Sequence, residues 1–210
     1  MLSIHLNNIG KKFRREWIFR QLNSEIKPGQ KLVILGGNGS GKSTLLQVIS
    51  GFIAPNEGSI VYSLPNQPLS ADVIHHHMSF ASPYLQVIED FTLHEMATHA
   101  KTFKPFHKTI SAEEFIELIQ LPQAKNKYIR EFSSGMKQRL KLGLALLSET
   151  PLLLLDEPLS NLDKAGIQWY KSMIENYTAS RTVIVCSNAI ADEYFFCDTT
   201  LNVMDYKIKS

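Results

Sequence analysis

The stretch Gly36-Gly37-Asn38-Gly39-Ser40-Gly41-Lys42-Ser43-Thr44 decides the fold. A short apolar run, Lys31-Leu32-Val33-Ile34-Leu35, leads into it. Leu45, Leu46, Val48 and Ile49 follow at helical spacing. An apolar strand, a glycine-rich turn and a helix form the context in which GxxxxGK[ST] reads as a phosphate-binding loop. Glycines let the backbone turn tightly and aim several N–H groups inward. The helix N-terminus behind them adds partial positive charge and favours an anion. In that geometry Lys42 reaches the β- and γ-phosphates and Ser43 ligates Mg²⁺. The loop predicts a nucleoside triphosphate site and leaves open what the triphosphate drives.

Downstream, Leu152-Leu153-Leu154-Leu155-Asp156-Glu157 is the second anchor. Four consecutive apolar residues suit a strand buried on both faces of a parallel sheet. Ligands of such sheets sit at the carboxyl ends of the strands. Asp156 is therefore expected near the Mg²⁺ held by Ser43, and Glu157 is expected to polarise a water aimed at the γ-phosphate.

Around these anchors the chain divides by periodicity. Residues 2–9, 18–26 and 31–35 read as strands, with the turn Lys27-Pro28-Gly29-Gln30 between the last two. Ser59–Tyr62 is a short strand, 64–72 a loop rich in Pro, Asn and Ser, and Val73–Ala81 a further strand. From about 84 to 147 strand signals vanish. Thr92 or Asp90 caps one helix, with Glu95 in its first turn. Ser111 and Glu114 form a capping box for a second, and a third starts near Ser133 or Ser134. Strands resume at Leu152–Leu155 and Thr182–Cys186, with a helix over 164–177 between them. A hairpin is expected over 199–204 and 206–208.

Composition narrows the classes. A chain of 210 residues buries a substantial core without staples. A net charge of +2 gives no electrostatic argument for nucleic acid, and none is expected as a partner. The two cysteines, Cys186 and Cys197, lack metal-like spacing and read as free thiols in a reducing compartment. No stretch reaches the length of a membrane span, and no signal peptide opens the chain. Action at a membrane then requires a partner within it. His75-His76-His77 lies in the expected strand, where neighbours point to opposite faces and do not converge on one metal.

A third feature, Phe132-Ser133-Ser134-Gly135-Met136-Lys137-Gln138-Arg139, lies between the two anchors. Small residues at a helix start again expose N–H groups to an anion. Here the chain resembles the ATP-binding cassette (ABC) ATPases, whose signature is LSGGQ, placed between the Walker A loop and the Walker B strand. Ser134 replaces the first glycine and Met136 the glutamine, while Ser133 and Gly135 remain. The resemblance covers essentially the whole chain. It implies an α/β P-loop NTPase core, an N-terminal antiparallel β-subdomain, and a helical subdomain inserted at about 84–147.

The resemblance also implies roles. ATP and Mg²⁺ are the expected ligands. Walker A of one cassette faces the signature of another, so Ser133, Ser134 and Gly135 would close over the nucleotide of a second copy or a paralogous cassette. Ser160-Asn161-Leu162-Asp163 matches the D-loop at the dimer seam. Phe13 sits where the family places an aromatic against adenine, with Trp17 as the alternative. Two departures stand out. Pro83 takes the position of a glutamine that senses the membrane partner, with Gln86 three residues on. Asn188 takes that of the switch histidine. Asn188 still donates a hydrogen bond to a phosphate but cannot become positive. The resemblance thus implies slower hydrolysis than in a histidine-bearing relative.

The expected function is the ATP-hydrolysing subunit of an ABC transporter. It would be cytoplasmic and peripheral on the inner face of the cell membrane, docked on a transmembrane permease subunit near 84–91. A soluble ABC ATPase and a slow-turnover nucleotide-dependent regulator are the alternatives.

Overall fold

A computed structural model describes residues 1–65, 67–107 and 110–207. Two sheets organise it. The first contains β1 (Ser3–Phe13), β2 (Glu16–Ile26), β4 (Glu57–Leu64) and β5 (Gln67–Leu69), in the antiparallel order β2-β1-β4-β5. The second contains β3 (Lys31–Leu35), β6 (Met78–Ala81), β7 (Leu152–Asp156), β8 (Thr182–Ser187) and β9 (Thr199–Asn202). Its order is β6-β7-β8-β3-β9, and every pairing is parallel. The helices are α1 (Lys42–Ile49), α2 (Leu93–Phe103), α3 (Ala112–Leu118), α4 (Ser134–Leu147) and α5 (Lys164–Tyr177).

The parallel sheet divides the core by the two-residue period of its strands. Leu152, Leu154, Leu32, Ile34 and Ile184 face α1 and the antiparallel sheet. Leu153, Leu155, Val33, Val183 and Val185 face the other way, toward residues of α2 to α5. All five residues of β7 are buried. Each fully buried leucine there stabilises the fold by about 2 kcal/mol relative to exposure. Because both faces are covered, the strand ends are the edges left for chemistry.

Helix starts follow their caps. The hydroxyl of Thr92 accepts from the Glu95 amide while the Glu95 carboxylate accepts from the Thr92 amide; Ser111 and Glu114 form the same reciprocal pair. Asp163 caps α5 by accepting from the Gly166 amide at 2.8 Å. The end of α4 is held from the residue just before β8. Buried Arg181 donates to the carbonyls of Ala145 and Leu146 and to the Thr150 hydroxyl. Burial pulls the Arg181 pKa down to about 9, so it remains a cation at neutral pH.

Three expectations are corrected. Residues Ala71–His76 form a 3₁₀ helix rather than the start of a strand. The Ser70 hydroxyl accepts from the Asp72 amide and starts it, and Ile74 is its one buried residue. His75 and His76 stack with ring centroids 3.9 Å apart; among the described residues no three His, Cys, Asp or Glu side chains converge as a metal site. Within the expected loop over 64–72, Gln67–Leu69 pairs with β4 as β5. Finally, β9 does not form a hairpin. It pairs in parallel with β3, from Leu32 opposite Thr199 to Leu35 opposite Asn202. Asn202 then caps a 3₁₀ turn over Val203–Tyr206, and Ile208 lies outside the described residues. Both cysteines are free.

Candidate functional site

The loop after β3 builds a cleft of about 350 Å³ at the carboxyl end of the parallel sheet, lined mainly by residues 38–44 with Ile18, Tyr84 and Glu157. Gly41 caps α1 at φ 105°, and a Cβ there would lie 2.4 Å from Ile18 Cγ2. Only glycine satisfies both demands. The first ladder bond of α1 runs from the Leu45 amide to the Gly41 carbonyl at 2.8 Å. The amides ahead of it, from Lys42 to Thr44, have no intrahelical acceptor and face an anion-sized space. Ser40 Oγ is buried there without a partner.

Lys42 is 4% exposed. Its ammonium donates to the carbonyls of Gly36 at 2.9 Å and Gly37 at 3.1 Å, and lies 4.0 Å from the Glu157 carboxylate. The loop is thus curled around its own cation. Two hard oxygens meet beside it: Ser43 Oγ donates to Asp156 Oδ1 at 3.1 Å. Burial pushes the Asp156 pKa up, against the opposing Ser43 bond. A buried carboxylate and a hydroxyl at the carboxyl ends of strands suit a small oxygen-preferring cation such as Mg²⁺. Open amides, a buried ammonium and this oxygen pair fit a triphosphate with its metal.

The sequence did not point to Ser82, whose Oγ donates to Asp156 Oδ2 at 3.5 Å. Its position directly after β6 was the available signal, since polar residues at strand ends line such sites. Tyr84 was likewise not expected in this cleft. It is 82% exposed at the mouth. Pro83 turns its carbonyl to the Lys141 ammonium at 2.6 Å, and Gln86 lies outside this cleft.

Glu157 adopts φ 43°, and its amide donates to the Cys186 carbonyl at 3.0 Å. The turn after β7 is thereby tied to β8. Asn188, just beyond β8, is exposed and does not line the cleft. Phe13 also stands outside it, 49% exposed, with Lys11 Nζ 5.3 Å above its ring. Trp17 is held between Lys12 and Arg20, at 5.1 and 4.6 Å from its ring centroid.

Ser133 and Gly135 lie in a second cleft of about 410 Å³, with Met136, Arg139 and the turn over 161–163. The two clefts share no lining residue. Ser133 caps α4 by accepting from the Met136 amide at 3.2 Å, and Ser134 is the first residue of that helix. A Cβ on Gly135 would meet the Asn161 carbonyl at 3.0 Å, so glycine admits the neighbouring turn closely. Buried Gln138 donates to the Pro158 carbonyl at 2.9 Å and links α4 to the turn that follows Glu157.

Known proteins resemble this chain in sequence and in fold. The uncharacterized ABC transporter ATP-binding protein YybJ of Bacillus subtilis is 28% identical over 207 residues, 95% of this chain and 92% of its own length. Spermidine/putrescine import ATP-binding protein PotA of Fusobacterium nucleatum is 33% identical over 169 residues, covering 77% of this chain. The aligned part is 43% of PotA. Among solved structures, the dimeric bacterial ABC transporter cassette MJ0796 superposes with a TM-score of 0.79 at 23% identity, covering 99% of this chain and 97% of its own; this is a likeness in fold. Among the described residues, no helix is long and apolar enough to cross a membrane. The family model described as ABC transporter matches residues 19–160, and the chain belongs to that family.

Proposed function

We propose that this chain is the ATP-binding and ATP-hydrolysing subunit of an ABC transporter, working as one half of a pair of cassettes. The observation that carries this reading is the separation of two clefts. One gathers Lys42, Ser43 and Glu157. The other gathers Ser133, Gly135 and Asp163. A nucleotide held in the first would be completed by the second cleft of another cassette, either a second copy or a paralogue.

In this proposal the amides of 36–44 and the Lys42 ammonium bind the phosphates. Ser43 and Asp156 hold Mg²⁺, which when bound neutralises phosphate charge. Glu157 orients the attacking water. Ser133, Ser134 and Gly135 close over the γ-phosphate from the partner cassette. Phe13 and Asn188 stand outside the cleft of the single chain, and in this proposal they meet the base and a phosphate oxygen only in the closed pair of cassettes. Phosphoryl transfer of this kind rests on positioning and charge rather than covalent chemistry. Hydrolysis removes the group that joins the two halves, and their reopening moves the bound partner.

That partner is a transmembrane permease subunit. It would seat near 84–91 on a helical unit spanning about 84–147, with the cassette on the cytoplasmic face of the cell membrane. The exposed Tyr84, Leu85 and Ile88 support an apolar contact there. The test is purification of the tagged chain from its own membranes in mild detergent. A polytopic membrane protein at matching stoichiometry is expected. Recovery with ribosomes or DNA instead would overturn the transporter reading.

A further inference from the structure

Glu193 is a buried carboxyl that the proposed reaction does not use. It is 1% exposed, and among the described residues no cation lies within ion-pairing distance of it. Burying such a group costs several kcal/mol unless its bonds repay it, whereas an apolar side chain of similar size costs nothing comparable. Its bonds run to two loops at the carboxyl ends of the parallel sheet, the first of which carries Glu157 of the nucleotide cleft. Oε1 accepts from the Leu159 amide at 3.3 Å, in the turn that carries Glu157. Oε2 accepts from Ser187 Oγ at 2.5 Å, at the end of β8 immediately before Asn188. Ser187 Oγ in turn accepts from the Ile190 amide at 3.2 Å and so shapes the bend around Asn188.

We propose that Glu193 is a positioning residue that clamps the turn after β7 to the loop after β8, holding Glu157 and Asn188 in one fixed relation across the nucleotide site. The backbone between these loops already has one tie, from the Glu157 amide to the Cys186 carbonyl. That tie lies at the strand ends. Glu193 adds the second one further out, and two ties fix an orientation where one permits rotation. The carbonyl of Glu193 accepts from buried Tyr170 at 2.8 Å, so the clamp is braced on α5 independently of its side chain. Burial pushes the Glu193 pKa up. The bonds from Ser187 and Leu159 oppose that rise, and the nearby Glu157 and Asp156 add to it.

The link to turnover rests on the ATPase reading above; the clamp itself does not. The experiment compares Glu193→Ala and Glu193→Gln with the wild-type chain in two measurements. In hydrogen exchange on the nucleotide-free protein, Glu193→Ala speeds exchange in both 157–163 and 187–190 and spares α1, while Glu193→Gln leaves both segments protected. In steady-state ATP hydrolysis, Glu193→Ala lowers kcat by about tenfold or more with KM for ATP within about twofold, and Glu193→Gln stays within about threefold of wild type.

Exchange changes limited to one segment, or spread over the whole fold, overturn the clamp. Equal losses in the Ala and Gln variants overturn a hydrogen-bonded clamp in favour of a required charge. Loosened loops with unchanged kcat overturn its link to turnover. A wild-type chain that turns over no ATP while Glu193→Ala still loosens both loops refutes the ATPase reading and leaves the clamp standing.

Discussion

Replacing Gly41 by alanine tests the construction of the phosphate loop. Two costs are separable. The φ of 105° strains any residue with a Cβ, at about 1–2 kcal/mol. The new Cβ would also stand 2.4 Å from Ile18 Cγ2, an overlap that side-chain movement relieves only in part. Overpacking of this kind costs about 1–3 kcal/mol. The sum, about 2–5 kcal/mol, lowers the Tm by about 4–20 °C in a chain of this size. The second cost depends on Ile18, and the first does not. Ile18→Ala alone loses half-buried methyl groups, at about 1–2 kcal/mol. The double variant Gly41→Ala/Ile18→Ala is therefore less destabilised than the sum of the singles, by about 1–3 kcal/mol. Urea unfolding midpoints of the four proteins measure this coupling. Additivity within about 0.5 kcal/mol would show that the contact with Ile18 does not set the demand for glycine.

Two further outcomes follow from other parts of the structure. Arg181→Met leaves the carbonyls of Ala145 and Leu146 without their buried donor, at about 1–3 kcal/mol for each acceptor left unsatisfied. Its urea midpoint falls while ATP binding persists; an unchanged midpoint would contradict the anchoring of α4. Asn188→His supplies a group that can carry positive charge toward the γ-phosphate, and raises steady-state ATPase by on the order of 10- to 100-fold. A rate equal to wild type, with the membrane partner present, would mean that asparagine is fully competent there.

How much of this was legible in the sequence depended on whether a signal was local. The strand, loop and helix over 31–49 follow from adjacent residues, and the structure places β3, the loop and α1 there. The capping box at Ser111 is a four-residue pattern and appears as read, and of the two caps left open for the preceding helix, Thr92 and Asp90, it is Thr92 that caps. The run Leu152–Leu155 is buried on both faces because helices cover both, as its unbroken apolarity implied. Long-range pairing was not legible. Thr199–Asn202 looks like the first arm of a hairpin because its neighbours are close in sequence, yet its partner is β3.

The facing of Phe13 was hidden for a different reason. The β1–β2 ladder shifts register between Leu6 and Ile9, again before Lys11, and again before Lys12. Alternation counted from Ile4 therefore cannot tell which way Phe13 points. Glu193 was invisible because nothing in its local pattern marks it for burial. Ser187 and Leu159, the groups that hold it, come from separate strand ends.

The central claim is that each nucleotide site is completed by a second cassette. Glu157→Gln keeps the side-chain shape at the cleft while removing the carboxylate proposed to orient water. Size-exclusion chromatography with light scattering, run with and without ATP and Mg²⁺, reads the outcome directly. The account predicts a monomer without nucleotide and a stable dimer with ATP bound. A Glu157→Gln protein that binds ATP and remains strictly monomeric would contradict it.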